Sequence, residues 1–87
     1  MSTYPVLKAG IIAYYDAPDR LVRCRVVSVE GGRPHTATLR VLHTQGKWRA
    51  GRVIQCLAKE AVPTAALIKT SKGPRILSFK YQVSASA

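Results

Sequence analysis

The segment Thr44–Val53, TQGKWRAGRV, sets Lys47, Arg49 and Arg52 around the chain's single tryptophan, Trp48, with Gly46 and Gly51 as loop punctuation. An indole flanked by cations can stack on an unpaired base while its neighbours hold phosphates. The competing role folds the ring back over the core, where its large apolar body covers leucine and valine side chains. Three further arginines belong to strand-like alternation. In LVRCRVVSVE, Arg23 and Arg25 alternate with Val22, Cys24 and Val26, and in TATLRVLH, Arg40 alternates with Leu39 and Val41. Strand pairing across a short turn would put all three guanidinium groups on one face, where like charges repel unless an anion relieves them. Lys69, Lys72 and Arg75 extend this cationic series toward the C-terminus.

Other chemistries find little support in the residue types. Asp16 and Asp19 fall in the DAPD stretch, where aspartate is favoured because its side chain bonds nearby backbone amides, so they read as turn residues before acid–base groups. Cys24, His35, His43 and Cys56 lack the close pairwise spacing by which structural zinc ligands cluster. Both cysteines lie in apolar strand patterns, where a free thiol behaves as a small hydrophobe. The glycines mark hairpins and open no helix, so no phosphate-cradling loop of the nucleotide-binding kind is present. No enzyme activity, metal or cofactor is expected.

Charge narrows the class of partner. Fourteen Lys and Arg stand against four Asp and Glu over 87 residues, a formal net charge of +10. After Glu30 the sole carboxylate side chain is Glu60, while most of the cations lie in that part of the chain. A soluble surface ordinarily mixes signs, so an uninterrupted cationic series points to an acidic partner. The first residues carry no secretory pattern, and no apolar run approaches the roughly 20 residues of a membrane span. A cytoplasmic protein with reduced cysteines and no membrane contact is the expectation.

The elements that must position these side chains are mostly strands. GIIAYY supplies one, with DAPD as the loop after it. LVRCRVVSVE supplies the next, and its apolar series slips phase between Val26 and Val27, which predicts a bulge or sharp bend there. EGGRP is a turn, TATLRVLH a third strand, Thr44–Gly51 a hairpin connection, and GRVIQCLA a fourth strand from about Arg52 to Ala58. VPTAALI reads as one short helical turn before a final strand. In SKGPRILSFKYQV, Ser71, Gly73 and Pro74 mark a turn, and Ile76–Val83 reads as an added edge strand with Lys80 and Gln82 outward, the alternative being a disordered basic tail, followed by a frayed SASA end.

AGIIAYY, RVVSV, TLRVL, GRVIQCL and VPTAAL, in that order over roughly residues 8–69, resemble the SH3-like small barrels, a superfold that includes Tudor-type and KOW-type modules. The resemblance implies an all-β chain with a barrel of about five strands over residues 1–70, a short helical turn before its last strand, and a basic extension over 71–87. It carries no functional signature. The aromatic cage of Tudor-type readers does not transfer, because Tyr14, Tyr15 and Trp48 are the only available walls.

Function follows from charge placement. The expected activity is binding of DNA or RNA through the phosphate backbone, with little sequence specificity, by Arg23, Arg25, Arg40, Lys47, Trp48, Arg49 and Arg52, extended by Lys69, Lys72 and Arg75. The alternative is a small accessory or inhibitor protein that occupies an acidic surface on a larger protein. A homo-oligomer formed through a strand edge is a third arrangement.

Overall fold

A computed structural model describes residues 5–77 and 81–84 of the chain. It is an all-β structure whose only helical pieces, among the described residues, are single 3₁₀ turns at Ala58–Glu60 and Thr64–Ala66. The strands are β1 (Val6–Leu7), β2 (Ile12–Asp16), β3 (Leu21–Glu30), β4 (Thr36–Val41), β5 (Val53–Leu57), β6 (Ala61–Pro63), β7 (Leu67–Thr70), β8 (Gly73–Ile76) and β9 (Gln82–Val83). No helix among the described residues is long and apolar enough to cross a membrane.

Five strands form one sheet in the order β5-β4-β3-β2-β6, and its end strands β5 and β6 are not hydrogen-bonded neighbours. β3 is the long central element. Its residues Val22, Cys24, Val26 and Val29 are buried while Arg23, Arg25 and Val27 face solvent. The β3–β4 register shifts between Val26 and Ser28, the bulge that the phase slip requires, and it leaves Val27 53% exposed. Beyond the bulge Val29 returns to the buried face opposite Ala37.

Inner-face residues from all five strands, including Ala13, Val22, Leu39, Ile54 and Ala61, belong to one buried cluster. The five strands thus share one buried face, and among the described residues the other two sheets have only two strands each. Leu7 of β1 and the ring of Trp48 complete the cluster, and Tyr81 and Val83 pack against it. Each fully buried leucine or valine contributes about 1.5–3 kcal/mol through apolar area removed from water. No buried side-chain polar atom among the described residues lacks a hydrogen-bond partner.

The C-terminal half departs from the sequence expectation in three places. The helical turn expected in VPTAALI exists at Thr64–Ala66, but the sheet's last strand, β6, lies before it and follows the other 3₁₀ turn, Ala58–Glu60. Three small or apolar residues, Ala61, Val62 and Pro63, are all buried, and so short a run carries no alternation from which a strand could be read. Gly73 and Pro74 belong to β8 and leave the turn to Ser71 and Lys72. Gly73 has φ +106°, a conformation that only glycine enters freely.

Ile76–Val83 is not one added strand. Ile76 ends β8, which pairs antiparallel with β7, whereas Gln82 and Val83 form β9 parallel to β1. Lys80 lies outside the described residues; Gln82 is exposed. Of the expected frayed end, Ser84 donates its N–H to the Leu7 carbonyl at 2.8 Å, and residues 85–87 lie outside the described residues.

Burial on β3 and β4 separates two kinds of substitution. Leu39→Ala removes a fully buried side chain and should cost about 2–5 kcal/mol by denaturant titration. Val27→Thr at the exposed bulge should stay within about 0.5 kcal/mol of the parent.

Candidate nucleic-acid interface

The β3–β4 pairing sets Arg25 directly opposite Arg40, and Arg23 follows two positions along the same face of β3. All three side chains are exposed. The pleat fixes this outcome, because burial of Cys24 and Leu39 sends their neighbours to the other side. On the same face Ile12 lies opposite Arg25, Tyr14 opposite Arg23, and Val53 opposite Arg40. The arginine set is therefore bordered by apolar side chains.

One ion pair is formed among the described residues, between Arg20 and Asp19 at 3.6 Å, and it is solvent-exposed. Arg23, Arg25 and Arg40 thus have no carboxylate partner there. Arg25 donates from Nη1 to the Gly10 carbonyl at 3.3 Å, which holds one guanidinium toward the turn before β2 but leaves its charge unneutralised. Like charges directly opposite on a sheet destabilise it. An anion seated between Arg25 and Arg40 would reverse that sign.

The loop from β4 to β5 is built on a tight turn. Gln45 and Trp48 exchange backbone hydrogen bonds at 2.7 and 3.0 Å, with Gly46 at φ +59° as the first central residue, the pattern of a II′ hairpin turn. A Cβ at Gly46 would come within 2.9 Å of the Arg20 guanidinium, so the side chain of Arg20 also uses the missing methyl. Gln45 anchors the loop to β3. Its Oε1 accepts from the Arg23 N–H at 2.8 Å, and its Nε2 donates to the Arg23 and His43 carbonyls at 3.3 and 2.9 Å. The side-chain amide acts as one more peptide group in the ladder, beyond the end of β4. No spacing signal singles out this glutamine in the sequence, since its partner is 22 residues away.

Trp48 is not a projecting stacking tip. It is 8% exposed, meets Tyr15 edge-to-face at 5.5 Å between ring centroids, and donates from Nε1 to Asp19 Oδ1 at 3.4 Å. The Arg52 guanidinium lies 4.7 Å from its ring centroid and the Lys47 ammonium 5.6 Å. Burying about 150–250 Å² of indole outweighs leaving it in water, and the cations take up the ring face that a base would need. Burial alone would raise the Asp19 pKa, but its backbone bond, the Trp48 N–H and the nearby Lys47 and Arg20 outweigh that and hold it below the ordinary carboxylate value. Lys47 and Arg49 remain exposed.

Comparison with protein-family models, curated proteins and solved structures gives no match. What the chain can do is read from its own geometry.

The remaining three cations stand apart from this face. Lys69, Lys72 and Arg75 lie on β7, the Ser71–Lys72 turn and β8, a separate two-stranded sheet. Lys69 pairs with Pro74 and Arg75 with Ile68, so the strand pleat sends Lys69 and Arg75 to opposite faces of the hairpin. The structure gathers Arg23, Arg25 and Arg40, gathers Lys47 and Arg52 at Trp48, and divides the last three.

Cys24 and Cys56 are free thiols. Burial pushes Cys24 up to about 11 and, with Glu60 and Cys24 nearby, Cys56 up to about 12. Neither offers a thiolate at neutral pH. No group of three or more His, Cys, Asp or Glu side chains that could hold a metal ion occurs among the described residues.

Two measurements test this geometry. Trp48→Ala should destabilise by about 3–5 kcal/mol, as buried aromatic truncations do, while Lys47→Gln stays within about 0.5 kcal/mol. At pH 8 a thiol of ordinary pKa is roughly a quarter ionised, so iodoacetamide should label the denatured protein at least about 100-fold faster than the folded one.

Proposed function

We propose that this chain is a non-enzymatic nucleic-acid-binding module that grips the phosphate backbone of DNA or RNA through the outer face of β3 and β4. The observation that carries this proposal is Arg25 set opposite Arg40, with Arg23 beside them and no carboxylate in ion-pair reach among the described residues. Guanidinium groups match phosphate oxygens with paired donors, and a cluster that repels itself in the free protein gains most from a polyanion. Lys47 and Arg49 at the loop tip, with Arg52 behind them, extend the contact; Trp48 supports the loop and does not touch bases. Contacts to phosphate position a protein without reading sequence, so in this mode sequence preference is weak.

The scaffold proposed for this face is an SH3-like small barrel. A meander from β2 to β5, a 3₁₀ turn and a short strand β6 returning beside β2 support it, as does the single apolar cluster shared by all five strands.

A second reading rests on Val27 and Val53, each 53% exposed, with Val53 directly opposite Arg40. Apolar side chains among cations also suit an acidic protein surface with a hydrophobic centre. Salt separates the two, because counterion release makes nucleic-acid affinity fall steeply with salt, and a packed protein interface depends on it less.

The experiment is a titration of single- and double-stranded DNA and RNA at two salt concentrations, with the parent and an Arg23→Gln/Arg25→Gln/Arg40→Gln variant. The variant should keep or raise its thermal midpoint, bind all sequences more weakly, and lose up to about 2.7 from the log–log salt slope on duplex DNA, at ~0.9 per phosphate contact. Absence of binding below ~10⁻⁴ M at low salt, or an unchanged slope in the variant, would move the function to the protein-partner reading.

A further inference from the structure

β5 ends the five-stranded sheet, and among the described residues its outer side carries a short row of unpaired backbone groups. The hydrogen-bond phase identifies them. Ala58 N–H donates to the His35 carbonyl and Val41 N–H to the Arg52 carbonyl, each at 2.9 Å, at the two ends of the β4–β5 ladder. The register between them pairs Ala37 with Cys56 and Leu39 with Ile54. Antiparallel alternation therefore turns the peptide groups of Ile54 and Cys56 toward β4, and those of Val53 and Gln55 away from it. Leu57 N–H also points outward, and Glu60 Oε1 takes it at 3.0 Å. Among the described residues the N–H groups of Val53 and Gln55 donate no hydrogen bond and their C=O groups accept none. VIQCL contains no proline, lysine or bulge of the kind that ordinarily blunts an edge.

Charge at the two ends of this edge is unequal. Arg49 and Arg52 precede it, whereas Glu60 closes its far end and shares with Glu30 a groove of about 410 Å³ that Thr38, Gln55 and Leu57 also line. Glu60 follows β5 and Glu30 ends β3, two strands inward, so half of the chain's four acidic side chains line this one groove. A chain of net charge +10 repels a copy of itself over most of its surface, so a contact between copies is favoured where carboxylates such as Glu30 and Glu60 meet cations.

We propose that β5 pairs antiparallel with β5 of a second copy about a two-fold axis at Ile54. Val53 of each copy then lies opposite Gln55 of the other, and their four N–H groups each find a carbonyl. In that register Leu57 approaches Gly51 of the other copy. The Glu30–Glu60 groove of each therefore meets the Arg49–Arg52 end of its mate, twice by symmetry. A parallel pairing would set cation against cation, which selects the antiparallel one. The axis is normal to the joined sheet, so both arginine faces lie on the same side of a ten-stranded surface. This association does not depend on what those arginines bind.

Amide hydrogen exchange and sedimentation equilibrium of the full chain, from ~10 µM to ~1 mM, test the pairing. The apparent mass should rise toward twice that of the monomer, and protection at Val53 and Gln55 should increase about tenfold or more with it, well beyond the change at Ile54 and Cys56. Gln55→Pro removes an N–H that the monomer does not use, so it should keep the fold by circular dichroism and abolish the concentration dependence. A monomer throughout that range would overturn the proposal, as would protection at Val53 and Gln55 that ignores concentration, or an undiminished dimer in folded Gln55→Pro. Should that variant fail to fold, the exchange pattern of the parent decides alone.

Discussion

One-sided burial of β3 is the constraint on which the rest depends. This strand pairs on both flanks, with β2 and with β4, and its Val22, Cys24, Val26 and Val29 are all buried. A period of two residues leaves Arg23 and Arg25 no choice of side. A one-residue slip against either neighbour would bury two arginines and expose the core, at a cost no surface contact could offset. The bulge at Val27 lets ten residues keep one buried face although their apolar series changes phase midway.

The same pleat creates an electrostatic tension. Arg25 and Arg40 are opposed because Cys24 and Leu39 must point inward, and the core supplies the free energy that holds the two cations together. Elsewhere the chain manages its charge locally. Arg52 and Lys47 approach the indole of Trp48, Asp19 accepts its N–H, and Arg20 packs beside Gly46 and pairs with Asp19. That corner is a self-contained arrangement of ring, cations and one carboxylate, whereas Arg23, Arg25 and Arg40 form no ion pair among the described residues. The contrast marks the second as the place where an outside anion changes the energetics.

Openness of the sheet is the other consequence. β6 is three residues long and buried, and Glu60 occupies the Leu57 N–H, so the two end strands do not join through hydrogen bonds. Leu7 and Trp48 join the apolar cluster from outside the five-stranded sheet. Among the described residues, the outward backbone groups of Val53 and Gln55 on β5 are left without partners, while the inward side chain of Ile54 is already packed. A fold can therefore be complete in its core and incomplete at its edge.

The sequence by itself determined what alternation controls: the all-β class, β2 to β5 within a residue or two, the bulge after Val26, the buried Cys24 and half-buried Cys56, and the outward Arg23, Arg25 and Arg40. Each depends on residues one or two apart, and burial of one side chain settles the direction of the next. Tertiary structure alone decided the matters that join distant parts of the chain. Trp48 was equally compatible with a stacking tip and with a core lid, and contact with Tyr15 and Asp19, some 30 residues upstream, fixed it inward. β6 is too short to show a period, so its place beside β2 comes from pairing and not from pattern. The basic extension split into β8 and β9 because Ile76 found β7 while Gln82 and Val83 found β1, at the other end of the chain. A linear reading cannot rank such partners, because the free energy of a long-range pair resides in the area both segments bury together, which neither segment carries alone.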